Sequence, residues 1–201
     1  MKLYFTPGAC SLAAHITLRE AGFEFELAEV NLATHQTADG GDFMAVNPKG
    51  YVPALQFDDG QVLTEDQVVL QYLADQKPDS GLAPAFGGME RYRLMEALAF
   101  IATEIHKGFG PLWNPQAPEA TRENAIRLLS RRFDFISDAL EGRTWLMGHR
   151  FTIADAYLFT VLNWTKVHHI DLSRWPRLVD YQERVAGRPA VQAALKAEGL
   201  A

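Results

Sequence analysis

Cys10 is the only cysteine in the chain, and it follows Thr6-Pro7-Gly8-Ala9, where a first apolar strand hands over to a first helix. A thiol in the first turn of a helix meets unpaired backbone N–H groups and the positive end of the helix dipole. Both favour thiolate and predict a pKa below the free value of about 8.5. Ser11 adds a hydroxyl able to donate to a nearby sulfur. The same cysteine also reads as a small buried packing residue. Residue 13 is alanine, so there is no Cys-x-x-Cys pair, and a redox cycle here would need an external thiol.

Two further features carry chemistry. Pro53 opens what reads as an inner strand, where its missing N–H would interrupt a ladder. A cis Val52-Pro53 bond would turn the Val52 N–H and C=O outward and leave an edge for a short peptide; a trans proline at a strand's first residue is the alternative. Glu65 and Asp66 fall in the first turn of a third helix. They either complement its dipole or offer Glu65 to a ligand's ammonium group while backbone N–H groups take its carboxylate. No metal-ligand set is read from the sequence.

The elements that position these groups fall into two rhythms. Lys2 to Phe5 reads as a strand, Ser11 to Ala21 as a helix stopped by Gly22, and Phe25 to Val30 as a second strand. Val52 to Phe57 and Gln61 to Leu63 form a hairpin about Asp58-Asp59-Gly60, and Thr64 with Gln67 reads as a capping box for the next helix. The order is βαβ then ββα over residues 1–77. A Pro- and Gly-rich linker, 78–88, leads into an all-helical unit, 89–201. There Leu94, Leu98, Ile101 and Ile105 form one helical stripe, and Ala125, Leu129, Phe133, Ile136 and Leu140 another. Thr152 and Asp155 cap a helix apolar on nearly every face, and Pro176 and Pro189 sit near the starts of two last helices.

Composition bounds the rest. With 201 residues, 48% of them hydrophobic, the chain has material for a sizeable core. A net charge of −6 argues against a nucleic-acid-wrapping protein. The apolar stretch Ala156 to Thr165 is half of the roughly 20 residues a spanning helix needs, and no stretch free of Asp, Glu, Lys and Arg reaches that length. No leader is visible and one cysteine cannot close an internal disulfide, so cytoplasmic residence is expected.

Taken together, Pro7-Gly8-Ala9-Cys10-Ser11, Ala45-Val46-Asn47-Pro48-Lys49-Gly50, Val52-Pro53-Ala54-Leu55, Leu63-Thr64-Glu65, Ile101 to Gly108 and Arg150 to Tyr157 resemble the bacterial beta class of cytosolic glutathione transferases along the whole chain. The resemblance implies an α/β plus all-α fold: a thioredoxin-like N-terminal domain and an all-helical C-terminal domain, assembled as a homodimer. It implies glutathione as co-substrate and small hydrophobic electrophiles as its partners. Cys10 then matches the cysteine that forms a mixed disulfide with glutathione. Val52, ahead of a cis-proline at Pro53, pairs with the tripeptide, Glu65 and Asp66 hold its γ-glutamyl end, and His106 and Lys107 reach it from the fourth helix. His35 stands where a lysine directed at the glycine carboxylate is usual, and Glu104 lies near the dimer-facing side. Three departures stand out: Phe5 replaces an aromatic hydroxyl, Asp66 a small or hydroxyl residue, and Ala99 an asparagine.

Residues 1–77 carry 4 basic and 11 acidic groups, a net −7, so binding of anionic glutathione must rest on local donors rather than on steering. On α-helical spacing His106 shares a face with Ala99, Ala102 and Gly110, opposite the leucine and isoleucine stripe, as in a helix lining a cleft. Phe109, Leu112, Trp113 and Trp164, with Ala9 and Phe5 opposite, are expected to wall an apolar electrophile pocket. Phe109, Leu112 and Trp113 equally suit a core around Pro111. Two chemistries fit: conjugation by a glutathione thiolate that Cys10, Ser11 and His106 stabilise, or disulfide exchange with Cys10 as nucleophile. A thiol reductase or peroxidase, a ligand-storage protein and a non-catalytic interaction domain are the alternatives.

Overall fold

The computed structural model describes residues 1–201. Strand β1 (Lys2–Phe5) leads through a tight loop into α1 (Leu12–Glu20), then β2 (Glu26–Asn31), β3 (Gln36–Thr37) and a one-turn α2 (Phe43–Val46). The hairpin β4 (Ala54–Gln56) and β5 (Val62–Thr64) precedes α3 (Asp66–Gln76). Sheet order is β3-β2-β1-β4-β5, with β1 parallel to β2 and antiparallel to β4. This is the predicted thioredoxin-like order, with β3 and α2 as additions that lack a hydrophobic run long enough to signal them. Residues alternate across β1 as a pleated strand requires: Leu3 and Phe5 face the main core, while Tyr4 packs with Val30, Phe43, Val52 and Ala54 on the other side.

The helical half comprises α4 (Met89–Phe100), α5 (Gly110–Trp113), α6 (Glu119–Ala139), α7 (Ile153–Leu162), α8 (Trp164–Val167), α9 (Pro176–Ala186) and α10 (Pro189–Ala197). All ten residues of α7 are buried, as expected of a helix apolar on nearly every face. Both predicted stripes are buried too. A single contiguous cluster of 41 buried residues runs from Leu3 through α1 to Ala194, so the two halves share one core instead of merely touching. Arg91, 1% exposed, forks onto Asp75 at 2.8 and 2.9 Å and ties α4 to α3. No helix is long and apolar enough to cross a membrane.

Several local expectations are corrected. Thr64 ends β5 and does not cap α3; Glu65 occupies the cap position, at φ 72°. Pro53, which has no N–H, keeps the strand from starting at Val52, and pairing begins at Ala54. Gly22 does stop α1: it sits at φ 68°, and the Phe23 N–H closes back on the Leu18 carbonyl at 3.0 Å.

The largest change lies beyond α4. Residues Ile101–His106 form a π-helical segment, closed by the Lys107 N–H on the Ala102 carbonyl, and a 3₁₀ turn follows at Lys107–Phe109. An i→i+5 ladder departs from the α-helical spacing on which the His106 face was predicted.

Candidate active site

The loop between β1 and α1 is held from several directions. The Thr6 hydroxyl donates to the Val30 carbonyl at 2.6 Å, and the Thr6 N–H donates to Ser11 Oγ at 3.2 Å. Ser11 Oγ donates back to the Thr6 carbonyl at 3.4 Å and is fully buried. Its hydroxyl is therefore engaged within the loop and not aimed at a sulfur. Gly8, at φ 71°, donates its N–H to Glu198 Oε2 at 2.9 Å and accepts from Trp164 Nε1 at 2.9 Å. A residue with a side chain adopts that backbone conformation reluctantly, so glycine suits it.

Cys10 is partly buried at the end of this loop, and its thiol donates to the Val52 carbonyl at 3.1 Å. The Val52–Pro53 bond is cis. The Val52 N–H finds no acceptor within the chain, so half of a peptide-pairing edge stands free beside the sulfur. Burial and the Asp66 charge push the Cys10 thiol up, opposite to the expected direction. The backbone N–H groups of Ser11 and Cys10 do pull it down, but the larger effects win.

Asp66 opens α3 with its carboxylate turned inward. The residue is 7% exposed, and neither carboxylate oxygen has a hydrogen-bond partner. Burial pushes this carboxyl well up; Cys10 lowers it, and the Glu65 charge adds to the rise. His106 completes the group: donor atoms of Cys10, Asp66 and His106 all lie within 4.8 Å of one another. His106 Nδ1 shares a 2.7 Å hydrogen bond with the Tyr157 hydroxyl, and its ring stands edge-on to Trp164 with centroids 4.9 Å apart. Burial, then the charge of Lys107, lowers its pKa to about 4, so the imidazole is neutral near pH 7. In the free protein the site's centre is a thiol, an orphaned carboxyl and a neutral imidazole.

The remaining predicted residues lie at graded distances from this centre. Glu65 pairs with Lys49 Nζ at 2.6 Å, and Lys49 also donates to Thr64 Oγ1 at 3.0 Å. His35, at φ 54°, packs its ring near Gly50, and its Nδ1 is enclosed without a partner. Glu104 is paired with Arg132 at 2.6 Å, whereas Lys107 is exposed and forms no ion pair. Of the expected pocket wall, Phe5, Phe109 and Leu112 are core residues at 5%, 0% and 4% exposure. Their apolar character went into packing, not into a cleft. Trp164 is buried behind His106, and Trp113, 49% exposed, stacks edge-on against it at 5.5 Å. An open groove of about 1380 Å³ lies elsewhere: it runs along α4 and α6 past Met89, Phe100, Phe135 and Arg143.

Sequence reasoning missed Tyr157 as the partner of His106, Lys49 as the partner of Glu65, and Glu198 behind the Gly8 loop. Nothing local marks them, since each acts on residues at least 15 positions away.

Residues 8–76 match the N-terminal domain of glutathione S-transferases, and residues 100–189 match the C-terminal domain. The glutathione S-transferase GstA of Escherichia coli O157:H7 is 48% identical over 200 residues, covering all of both chains. A crystal structure of a glutathione transferase from Methylococcus capsulatus superposes with a TM-score of 0.98 at 66% identity, covering 100% of this chain and 99% of that one. A sphingomonad glutathione S-transferase solved with glutathione gives 0.96 at 47% identity, with both chains fully covered. The chain belongs to the glutathione S-transferase family. Within it, the chain is an enzyme of the bacterial beta class.

Proposed function

We propose that the protein binds glutathione along the Val52 edge and transfers its sulfur to small hydrophobic electrophiles, with residues 1–77 as the glutathione-binding unit, 78–88 as linker and 89–201 supplying the electrophile side. Conjugation of a thiol to electrophiles is the family's activity; the roles of individual residues are this reading's own. One observation carries it: the Cys10 thiol rests on the Val52 carbonyl at 3.1 Å beside an unpaired Val52 N–H. An extended tripeptide pairing with that N–H and carbonyl would displace Cys10 from Val52 and bring its own sulfur alongside.

The chemistry follows from protonation. A neutral Cys10 thiol, freed from Val52, can donate to the glutathione sulfur as that sulfur loses its proton. This orders the two sulfurs as one thiol and one thiolate, avoiding a pair of adjacent anions. Neutral His106, oriented by Tyr157, has a ring nitrogen for the departing proton or for a hydrogen bond to the thiolate. Bringing a thiol pKa from about 9 to about 7 requires roughly 2.7 kcal/mol of differential interaction. Glu65, Lys49 and the backbone at Asp66 suit the charged γ-glutamyl end, while His35 and Lys107 are the donors for the other carboxylate. Ala9, Trp113 and the edge of Trp164 are the apolar surface left for the electrophile.

Cys10-dependent exchange is the second activity of the same site. Cys10 Sγ, losing its proton, attacks the glutathionyl sulfur of a mixed disulfide between glutathione and another thiol compound. That S–S bond breaks, the compound leaves as a thiolate that takes up a proton, and Cys10 is left joined to glutathione. A second glutathione then resolves the mixed disulfide and restores the thiol. The raised Cys10 pKa slows the attack, which favours conjugation as the main activity. Met89, Tyr92, Met95 and Phe135 are exposed along α4 and α6, and this apolar surface supports a homodimer. Cytoplasmic residence fits a lone unpaired cysteine.

Calorimetry with millimolar glutathione and an aryl-halide conjugation assay test the reading. Saturable heat and turnover are expected; neither heat nor protection of Cys10 from alkylation would end it. Cys10→Ala should abolish exchange and leave slowed conjugation.

A further inference from the structure

We propose that Cys10, Asp66 and His106 form a binding site for a thiophilic divalent cation of the zinc type, in the protein free of glutathione. The donors come from three separate elements: the loop before α1, the first residue of α3 and the π-helical segment after α4. One atom from each already lies within 4.8 Å of the others. Ligands about 2.0–2.3 Å from a tetrahedral ion stand roughly 3.5 Å apart, so a modest rotation of Cys10 and Asp66 closes the set.

The donor chemistry is selective. One sulfur, one imidazole and one carboxylate suit zinc, cobalt or copper, and not calcium or magnesium, which require more oxygens. Asp66 supplies the independent sign of a missing partner. Both of its carboxylate oxygens are enclosed without a hydrogen-bond partner, the Cys10 thiol being committed to the Val52 carbonyl at 3.1 Å and His106 Nδ1 to the Tyr157 hydroxyl at 2.7 Å. A buried carboxylate left in that condition is costly unless a cation or proton meets it. The second layer is also present. The Tyr157 hydroxyl holds His106 Nδ1 at 2.7 Å and so sets the ring's orientation, as outer partners do for metal-bound histidines.

Three protein ligands leave a fourth position open, the pattern of an accessible site. Coordination draws Cys10 and Asp66 together and takes the Cys10 proton off to solvent. The cation and glutathione therefore exclude each other at Cys10. This last point alone rests on the glutathione placement proposed above.

The test is a titration of tag-free, chelator-stripped full-length protein with Co²⁺, followed by displacement with Zn²⁺. One Co²⁺ per chain is expected, with a thiolate-to-cobalt charge-transfer band in the near ultraviolet that Zn²⁺ abolishes. Asp66→Asn and His106→Gln should each weaken binding tenfold or more, and Tyr157→Phe by about tenfold. His149→Gln, on an exposed residue outside the cluster, should change nothing. The absence of a saturable charge-transfer band in wild-type protein, which needs no variant to fold, overturns the site. So does a band that Asp66→Asn or His106→Gln leaves at full affinity, since binding would then be by Cys10 alone. S-methylglutathione, whose sulfur is blocked, should suppress the band. If it binds and the band stays, the shared position at Cys10 fails while the cation site stands.

Discussion

The Gly8 N–H donates to Glu198 Oε2 at 2.9 Å, joining two residues 190 positions apart. The other Glu198 oxygen receives His15 Nδ1 at 2.8 Å, and Arg19 donates to His15 Nε2 at 2.8 Å. The end of α10 thus braces both the loop that carries Cys10 and the first helix behind it. Glu198→Ala leaves the Gly8 and His15 N–H groups without acceptors and should cost about 2–4 kcal/mol in urea unfolding. Conjugation should slow as well, because the loop loses its brace. Glu198→Gln keeps an acceptor oxygen and should lose about half as much stability; equal losses in the two variants would contradict this account.

Cys10 should behave as a high-pKa thiol in metal-free, ligand-free protein. Burial and Asp66 raise it, so its carboxamidomethylation rate should still be climbing above pH 9. Asp66→Asn removes the neighbouring charge and should move the profile to lower pH. A wild-type midpoint below the ordinary cysteine value would restore the helix-end effect as dominant.

His106 links stability to acid. Its folded pKa is depressed to about 4 by burial and Lys107, whereas the unfolded value is near 6.5. Between those values the unfolded chain binds more protons, so stability falls as pH drops from about 6.5 to 4. The loss approaches about 3 kcal/mol. Urea midpoints for wild type and His106→Asn, measured with a chelator present, should diverge at neutral pH and converge near pH 4.

The cap of α7 is a matter of folding alone. Asp155 accepts from the Thr152 N–H at 2.8 Å, the Leu146 N–H at 2.8 Å and the Tyr181 hydroxyl at 3.0 Å. Thr152→Ala should lower stability by about 1 kcal/mol without changing the KM for glutathione. A KM shift at intact folding would mean that α7 transmits to the site.

Much of the architecture was legible because its signals are local or periodic. Short apolar strands, the Gly22 stop, the Asp58-Asp59-Gly60 hairpin, the buried stripes, the Thr152–Asp155 pair and the prolines opening α9 and α10 all reside within a few neighbouring residues. The π segment was not legible, since the residue types and spacing of Ile101 to His106 read as ordinary helix.

For the site, the chain's own order of residues determined which chemical groups exist: one thiol at the head of a helix, a Val-Pro edge, an acidic pair and a histidine on what reads as the fourth helix. Tertiary structure decided what those groups are. Asp66 reaches Cys10 only because α3 packs beside α1 and brings its first residue to the first loop, and burial of the thiol, with the Asp66 charge added, reverses the sign that helix-end electrostatics alone assigns to it. Ser11 turns to Thr6, and Phe5 and Phe109 go to the core, because burial and hydrogen-bond satisfaction are settled by neighbours distant in sequence. Residue types follow from covalent order, but protonation and partnership depend on desolvation and through-space charge, and those exist only once the chain has closed on itself.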